Sequence, residues 1–237
     1  MAVAGVSGGD SRREQRLTRT RIKICGVTRA QDLDAAVSAG VDAVGFVFYP
    51  KSPRLVSAKQ ARELAARLPP FVTAVGLFVN AQASEVRRIS SLAGLQLLQF
   101  HGDEPPDFCA AFGLPYIKAA RVRPGLDLLK YADDFKAARG ILLDAFVDGY
   151  GGAGEVFDWT LIPKEVAVRA VLSGGLRAAN VAAGIASLRQ LTIPFDSPLG
   201  VDVSSGVEVA KGIKDAGLID EFVAAVRAVD ASQSKDK

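Results

Sequence analysis

The chain has 237 residues, of which 49% are hydrophobic and 23% are charged, as is typical of a folded globular protein rather than a disordered one. The formal net charge of +3 comes from the two ends, because residues 21–230 carry equal numbers of acidic and basic side chains. A nucleic-acid surface needs Lys and Arg gathered on one face, and this balance gives no indication of one.

From residue 21 onwards, short apolar runs alternate with amphipathic segments. The segments Gln31–Ala39 and Ala58–Leu68 have helical apolar spacing, with Gly40 after the first and Ser57 as N-cap of the second. The helix between Asp158 and Pro163 is the weakest of the set. The β-rich runs predict eight strands: Arg21–Cys25, Asp42–Phe48, Val72–Val79, Leu95–Gln99, Tyr116–Arg121, Gly140–Asp144, Val168–Leu172 and Gly200–Val203.

Strands that alternate with helices indicate a parallel sheet, because parallel neighbours need crossover connections. Eight such units in about 210 residues fit an α/β fold with a single (β/α)₈ TIM barrel. An open doubly wound sheet is the alternative, but the turn at residues 25–30 lacks the Gly-x-Gly-x-x-Gly pattern of such sheets. We expect a disordered N-terminal extension at residues 1–20, the barrel at 21–230 and a disordered tail at 231–237.

The chain has two cysteines, Cys25 and Cys109, and one histidine, His101. These numbers exclude a disulfide framework and a metal site built from His and Cys. The sequence has no apolar run of about 18 residues, so we expect no membrane span. Residues 1–20 lack the apolar core of a signal peptide and mix four Arg with two acidic residues, so we expect a cytoplasmic location.

Polar groups stand at the predicted strand ends, where TIM barrels carry their active sites. Asp144 ends an otherwise apolar strand, and a carboxylate there is costly unless it faces a polar site. Cys25 ends the first strand, where a thiol of lowered pKa acts as a base, although a buried Cys often only packs. Arg54 suits a carboxylate ligand or is a plain surface charge, and His101 is more often a hydrogen-bonded wall residue than a catalyst. Cys109 is expected to be inert core.

Three glycine clusters follow the last three strands: residues 149–154 (GYGGAG), Ser173–Gly175 (SGG) and Ser204–Gly206 (SSG). Glycine lets backbone N–H groups approach an anion closely. The loops after strands seven and eight bind phosphate in many barrels. Each cluster alone is equally well explained as a tight turn, but the three together indicate a phosphate site.

Several motifs, in order along the chain, match one enzyme family. They are Lys23–Gly26 (KICG), Asp42–Arg54 (DAVGFVFYPKSPR), Gly76–Asn80 (GLFVN), Gln99–Gly102 (QFHG), Ile141–Asp144 (ILLD), Gly151–Gly154 (GGAG) with Phe157–Trp159 (FDW), Leu172–Leu176 (LSGGL), Gly200–Glu208 (GVDVSSGVE) and Lys211–Asp215 (KGIKD). From Arg21 to about Val229 the chain resembles phosphoribosylanthranilate isomerase, of tryptophan biosynthesis. Ala153 replaces the usual Ser or Thr and Phe100 the usual Leu.

The resemblance implies a single barrel, without cofactor or metal, that catalyses an Amadori rearrangement of a small phosphosugar, N-(5-phosphoribosyl)anthranilate. It implies that Cys25 is the general base, that Asp144 is the general acid and that Arg54 binds the anthranilate carboxylate. No nucleic-acid or membrane partner is expected, and a monomer and a homodimer both fit the sequence. The predicted substrate-binding residues, with the glycine-rich loops on the phosphate, are Arg54, His101, Gly151, Gly152, Gly154, Ser173, Gly174, Gly175, Asp202, Ser204, Ser205 and Gly206.

Two other classes of function stay open at this point. A dual-substrate barrel of the histidine–tryptophan type would use two carboxylates as acid and base, and Cys25 stands where the first would be. A non-catalytic phosphate-binding barrel would lack the acid or the base, whereas both are present in this sequence.

Overall fold

The computed structural model describes residues 19–146, 158–166, 169–190 and 200–233, and these contain a closed parallel barrel. β8 pairs with β1 and closes the ring. The predicted TIM barrel is therefore confirmed, and each predicted strand corresponds to an observed one. In chain order around the barrel the strands are β1 (Arg21–Cys25), β2 (Ala43–Val47), β3 (Thr73–Phe78), β4 (Leu97–Phe100), β5 (Tyr116–Val122), β6 (Gly140–Ala145), β7 (Ala170–Leu172) and β8 (Gly200–Val203).

Helices surround the barrel. The side chain of Ser57 caps the second by accepting a hydrogen bond from the backbone N–H of Gln60 at 3.1 Å, as predicted. Between β6 and β7 the described residues form only a 3₁₀ turn at Trp159–Leu161, where the sequence had its weakest helix. The α-helices in the described ranges are α1 (Ala30–Ser38), α2 (Ala58–Ala65), α3 (Ala83–Ala93), α4 (Pro106–Ala110), α5 (Leu128–Asp134), α6 (Ala178–Leu188) and α7 (Ala216–Gln233).

The apolar core has two parts, one outside the barrel and one within it. The larger part fills the space between sheet and helices and includes Leu33, Phe46 and Phe222. Phe100, one of the two departures from the family pattern, is fully buried there, with its ring centroid 5.6 Å from that of Phe112. Inside the barrel, small apolar clusters fill the interior and leave space at the C-terminal ends of the strands.

The two ends of the barrel region are joined by hydrogen bonds. The backbone N–H and the hydroxyl of Thr20 donate to the two carboxylate oxygens of Asp230 at 2.9 and 2.7 Å. Thr20, one residue before the predicted limit at Arg21, is therefore bound to the last helix, and α7 continues three residues beyond the predicted limit at Asp230. No helix in the described part of the chain is long and apolar enough to cross a membrane.

A short antiparallel hairpin that no sequence pattern predicts follows β8. Its strands are β9 (Glu208–Ala210) and β10 (Ile213–Lys214). The hairpin lies against the β1–α1 loop, because the hydroxyl of Thr28 donates to the Gly212 carbonyl at 2.8 Å. Strands of two and three residues are too short to show an alternating pattern.

Candidate active site

A cavity opens at the C-terminal ends of the barrel strands. Gly206 lies beside the cavity, against the carbonyl oxygen of Leu176. The predicted residues Gly151, Gly152 and Gly154 lie outside the described part of the chain. The other predicted site residues line the cavity together: Cys25, Arg54, His101, Asp144, Ser173, Gly174, Gly175, Asp202, Ser204 and Ser205.

Cys25 is buried beside an ion pair inside the barrel. Lys23 and Asp202 lie opposite each other in the β1–β8 pairing, and Lys23 Nζ donates to Asp202 Oδ1 at 2.8 Å. Lys23 shares a strand face with Cys25, because the two residues are two positions apart. Gly45 in β2 leaves room for both, since a Cβ there would lie 2.9 Å from Cys25 Sγ and 3.1 Å from Lys23 Nζ.

The charges around Cys25 oppose the effect of its burial. Burial raises the pKa of the Cys25 thiol and outweighs the positive charge of Lys23, which acts to lower it, so the pKa is raised rather than lowered as expected of a base. Burial alone would lower the pKa of Lys23, but the attraction of Asp202 and Cys25 outweighs this effect and raises it. Lys23 therefore keeps its proton, and its charge is the main influence that favours a thiolate.

Asp144 is held by hydrogen bonds at the end of β6. Its Oδ2 lies 2.9 Å from His101 Nε2, and its Oδ1 accepts from the backbone N–H of Ala145 at 2.9 Å. The other ring nitrogen, His101 Nδ1, lies 3.1 Å from Nε2 of the fully buried Gln99. The amide and the imidazole thus fix the direction of one carboxyl group at the cavity wall.

The loop that carries His101 is anchored by a buried ion pair. Lys118 Nζ pairs with Glu104 Oε2 at 2.9 Å and also donates to the Gly102 carbonyl. Glu104 accepts hydrogen bonds from the backbone N–H groups of Gly102 and Asn80 at 2.9 and 2.7 Å. Because these charges are paired and hydrogen-bonded, their burial is compatible with a stable loop.

The predicted phosphate loops meet beside Asp144. Gly174 has a φ of 79°, and a Cβ there would lie 2.6 Å from the Ala145 nitrogen, so only glycine fits. After β8, Ser205 begins a 3₁₀ turn that reaches Val207. α6 begins at Ala178, soon after the Ser173–Gly175 loop. The N-terminus of this helix therefore lies near the backbone N–H groups of that loop.

Arg54 is buried in a two-point ion pair with Glu208. Its Nε and Nη2 donate to Glu208 Oε1 and Oε2, both at 2.8 Å. These hydrogen bonds raise the pKa of Arg54. Within the described residues Nη1 has no hydrogen-bond partner, so the Nη1–Nη2 edge remains available for a ligand.

Two charged residues and an apolar wall of the site are not indicated by the pattern of polar residues at the strand ends. Glu208 and Lys214 belong to the quoted motifs, but the sequence does not show that Glu208 pairs with Arg54, 154 residues away, or that Lys214 pairs with Glu208. The wall consists of Val47, Leu77 and Val79, which pack with Cys25. The sequence feature that predicts this wall is the alternation of inward-facing apolar residues near the ends of β2 and β3.

The described residues contain no group of three or more His, Cys, Asp or Glu placed to hold a metal ion.

Residues 22–225 match the family model described as N-(5'phosphoribosyl)anthranilate (PRA) isomerase. The chain belongs to this family. An N-(5'-phosphoribosyl)anthranilate isomerase from Dechloromonas aromatica (strain RCB) is 59% identical over 215 residues, which cover 90% of this chain and 99% of the relative. The resemblance inferred from the motifs is therefore confirmed.

Solved structures of the family share the fold. The phosphoribosyl anthranilate isomerase of Thermotoga maritima has a TM-score of 0.77 and 40% identity, covering 88% of this chain and 99% of that one. A phosphoribosyl anthranilate isomerase in complex with reduced 1-(o-carboxyphenylamino)-1-deoxyribulose 5-phosphate has a TM-score of 0.73 and 38% identity, with the same coverage of 88% and 99%.

Proposed function

We propose that this protein converts N-(5-phosphoribosyl)anthranilate into 1-(2-carboxyphenylamino)-1-deoxyribulose 5-phosphate in tryptophan biosynthesis, with Cys25 as general base and Asp144 as general acid. The observation that carries the proposal is a single cavity lined by the buried thiol, the histidine-bonded carboxyl group and Arg54 with an unused edge. The family to which the chain belongs and the reduced product bound by one relative support this substrate.

The cavity matches a ligand with two anionic ends. The phosphate binds to the loops at Ser173–Gly175 and Ser204–Gly206, and the carboxylate binds to the Nη1–Nη2 edge of Arg54. Between them the aromatic ring packs on Val47 and Leu77, beside Cys25. This orientation presents the ribose carbons to the thiol and to Asp144.

Asp144 starts the reaction in its protonated form. It donates its proton to the furanose ring oxygen, and the bond between that oxygen and C1′ breaks. The nitrogen lone pair forms an iminium with C1′. His101 and the Ala145 N–H then stabilise the carboxylate that remains.

Cys25 completes the rearrangement as its thiolate. It takes the proton from C2′, whose acidity the adjacent iminium raises, and the electron pair of that bond neutralises the iminium to an enolamine. The enolamine gains a proton at C1′ and loses one from the C2′ hydroxyl, which gives the ketone. No atoms are gained or lost overall, so the reaction needs no redox partner.

The same proposal covers location and assembly. A cytoplasmic location fits Cys25 and Cys109, which are both free thiols, because a reducing compartment keeps thiols unpaired. A monomer and a homodimer both fit this proposal.

The direct test is an assay of the purified full chain on freshly made phosphoribosylanthranilate. We expect the fluorescence of the substrate to fall with enzyme-dependent kinetics and the carboxyphenylamino-deoxyribulose phosphate to accumulate in equal amount. The matched blank is the double variant Cys25→Ser/Asp144→Asn. No conversion above this blank would contradict the proposed function.

Replacing Lys23 by Met should shift the pH dependence of catalysis. Without the cation, the pKa of Cys25 rises further, so the ascending limb of kcat/KM moves to higher pH. The measurement is a pH profile of kcat/KM for the wild type and the variant. Arg21→Met, which removes an exposed cation from the same strand, serves as control and should leave the limb in place. If the ascending limb of the Lys23→Met profile lies at the same pH as that of the wild type, Lys23 is excluded as the group that supports the thiolate.

A further inference from the structure

Glu208 binds two cations, not one. Besides its two-point pair with Arg54, its Oε1 accepts from Lys214 Nζ at 2.7 Å. Lys214 also donates to the carbonyl and the hydroxyl oxygen of Ser204, at 3.0 and 3.2 Å. The hydroxyl of Ser204 in turn donates to the Cys25 carbonyl at 3.0 Å, so it acts as an acceptor toward Lys214. We call Arg54, Glu208 and Lys214 the charge triad.

The charge triad has a net charge of +1. Lys214 faces three acceptors, which matches the three protons of an ammonium group rather than the two of a neutral amine. Burial alone would raise the pKa of Glu208, but Arg54 and Lys214 outweigh it and lower the pKa, so the carboxylate is ionised. Burial lowers the pKa of Lys214, and Glu208 opposes that change.

The backbone around Arg54 is shaped to hold its side chain. Gly26 has a φ of 74°, and a Cβ there would collide with Cδ of Arg54. On the other side Gly212 of the hairpin packs against the Pro53 carbonyl, and a Cβ there would approach it to 3.0 Å. The hairpin that supplies Glu208 and Lys214 therefore packs closely against the backbone beside Arg54.

We infer that Glu208 and Lys214 are specificity-determining positioning residues for the carboxylate end of the ligand. Glu208 takes the Nε–Nη2 edge of Arg54 and so leaves the Nη1–Nη2 edge for the ligand. Lys214 compensates the charge of Glu208, because an arginine paired with a carboxylate alone is neutral and attracts a second carboxylate weakly. The inference rests on the proposed function, in which Arg54 binds the anthranilate carboxylate.

The test compares two ligands that differ only in the carboxylate. One is reduced 1-(o-carboxyphenylamino)-1-deoxyribulose 5-phosphate, and the other is its phenylamino counterpart without the carboxylate. Calorimetric titration gives Kd for each, and their ratio is the carboxylate selectivity. Both ligands carry the phosphate. If a change at Lys214 alters phosphate binding by the Ser204 loop, it changes both Kd values by the same factor and cancels in their ratio.

The variants change the charge of the triad in both directions. Arg54 and Lys214 each count as +1 and Glu208 as −1. The net charge of the triad is therefore 0 in Lys214→Met, +2 in Glu208→Gln and again +1 in the double variant that carries both changes. We expect a wild-type selectivity of roughly ten- to a hundredfold, as for one charge-assisted hydrogen-bonded contact. Lys214→Met should lose most of it, and the double variant should recover a large part.

Two results would overturn the inference: wild-type selectivity in Lys214→Met, or no recovery in the double variant. If Lys214→Met does not fold, Lys214→Gln removes the charge and keeps hydrogen-bonding groups, and the same loss is expected. Arg54→Met separates this inference from the proposed function. A wild type without selectivity, or an Arg54→Met variant that keeps it, rejects the proposed role of Arg54. Selectivity that depends on Arg54 but not on Lys214 rejects only the inference.

Discussion

Replacing Cys25 by Ser is expected to lower kcat by about 10²–10⁴-fold while leaving the affinity for the reduced product unchanged. Serine has nearly the same shape, so contacts with Val47 and Leu77 persist. Its hydroxyl is a far weaker acid than a thiol, so the oxyanion needed to remove the C2′ proton is not formed near neutral pH. The measurement is kcat at saturating substrate, together with Kd of the reduced product.

Cys109→Ser is the matched control for this variant. Cys109 is also a buried free thiol, but it lies in α4 between sheet and helices, where burial raises its pKa to about 12. Its replacement should lower the melting temperature and leave kcat within about twofold, since a change of this kind in the core acts on stability. If Cys25→Ser behaves as Cys109→Ser does, then Cys25 only packs and the base must be another group.

The barrel could be predicted because each strand and most helices carry a local pattern. Short apolar runs, such as Ala43–Val47 (AVGFV), mark buried strands, and Ser57 marks a helix start. The β9–β10 hairpin has no such pattern, because its strands are two and three residues long and largely exposed. Its place is determined by contacts with the β1–α1 loop, which only the folded chain brings close.

The positions of the site residues could be predicted, but their partners could not. Cys25 and Asp144 follow from the rule that barrel strands present their C-terminal ends to the active site. The ion pairs that surround them join residues far apart in sequence: Lys23 and Asp202 are separated by 179 positions. A single sequence carries no local signal for such a pair. The charge of Arg54 was evident, whereas its pairing with Glu208 depends on how the hairpin packs.

Replacing Asp144 by Asn should lower kcat by about 10²–10⁴-fold through loss of the proton that opens the ribose ring. The change is nearly isosteric, and the amide keeps an acceptor for the Ala145 N–H and a polar atom toward His101. Ligand affinity should therefore stay close to that of the wild type. The decisive measurement is the kinetic isotope effect on kcat with substrate deuterated at C2′.

The isotope effect separates the two catalytic groups, because each variant slows a different step. In Asp144→Asn, ring opening limits the rate before the C2′–H bond is touched, so the isotope effect should fall toward 1. In Cys25→Ser, removal of the C2′ proton limits the rate, so the full isotope effect should appear. An isotope effect in Asp144→Asn as large as that in Cys25→Ser would mean that Asp144 does not act in ring opening. Near-normal turnover in Asp144→Asn would exclude it as the acid altogether.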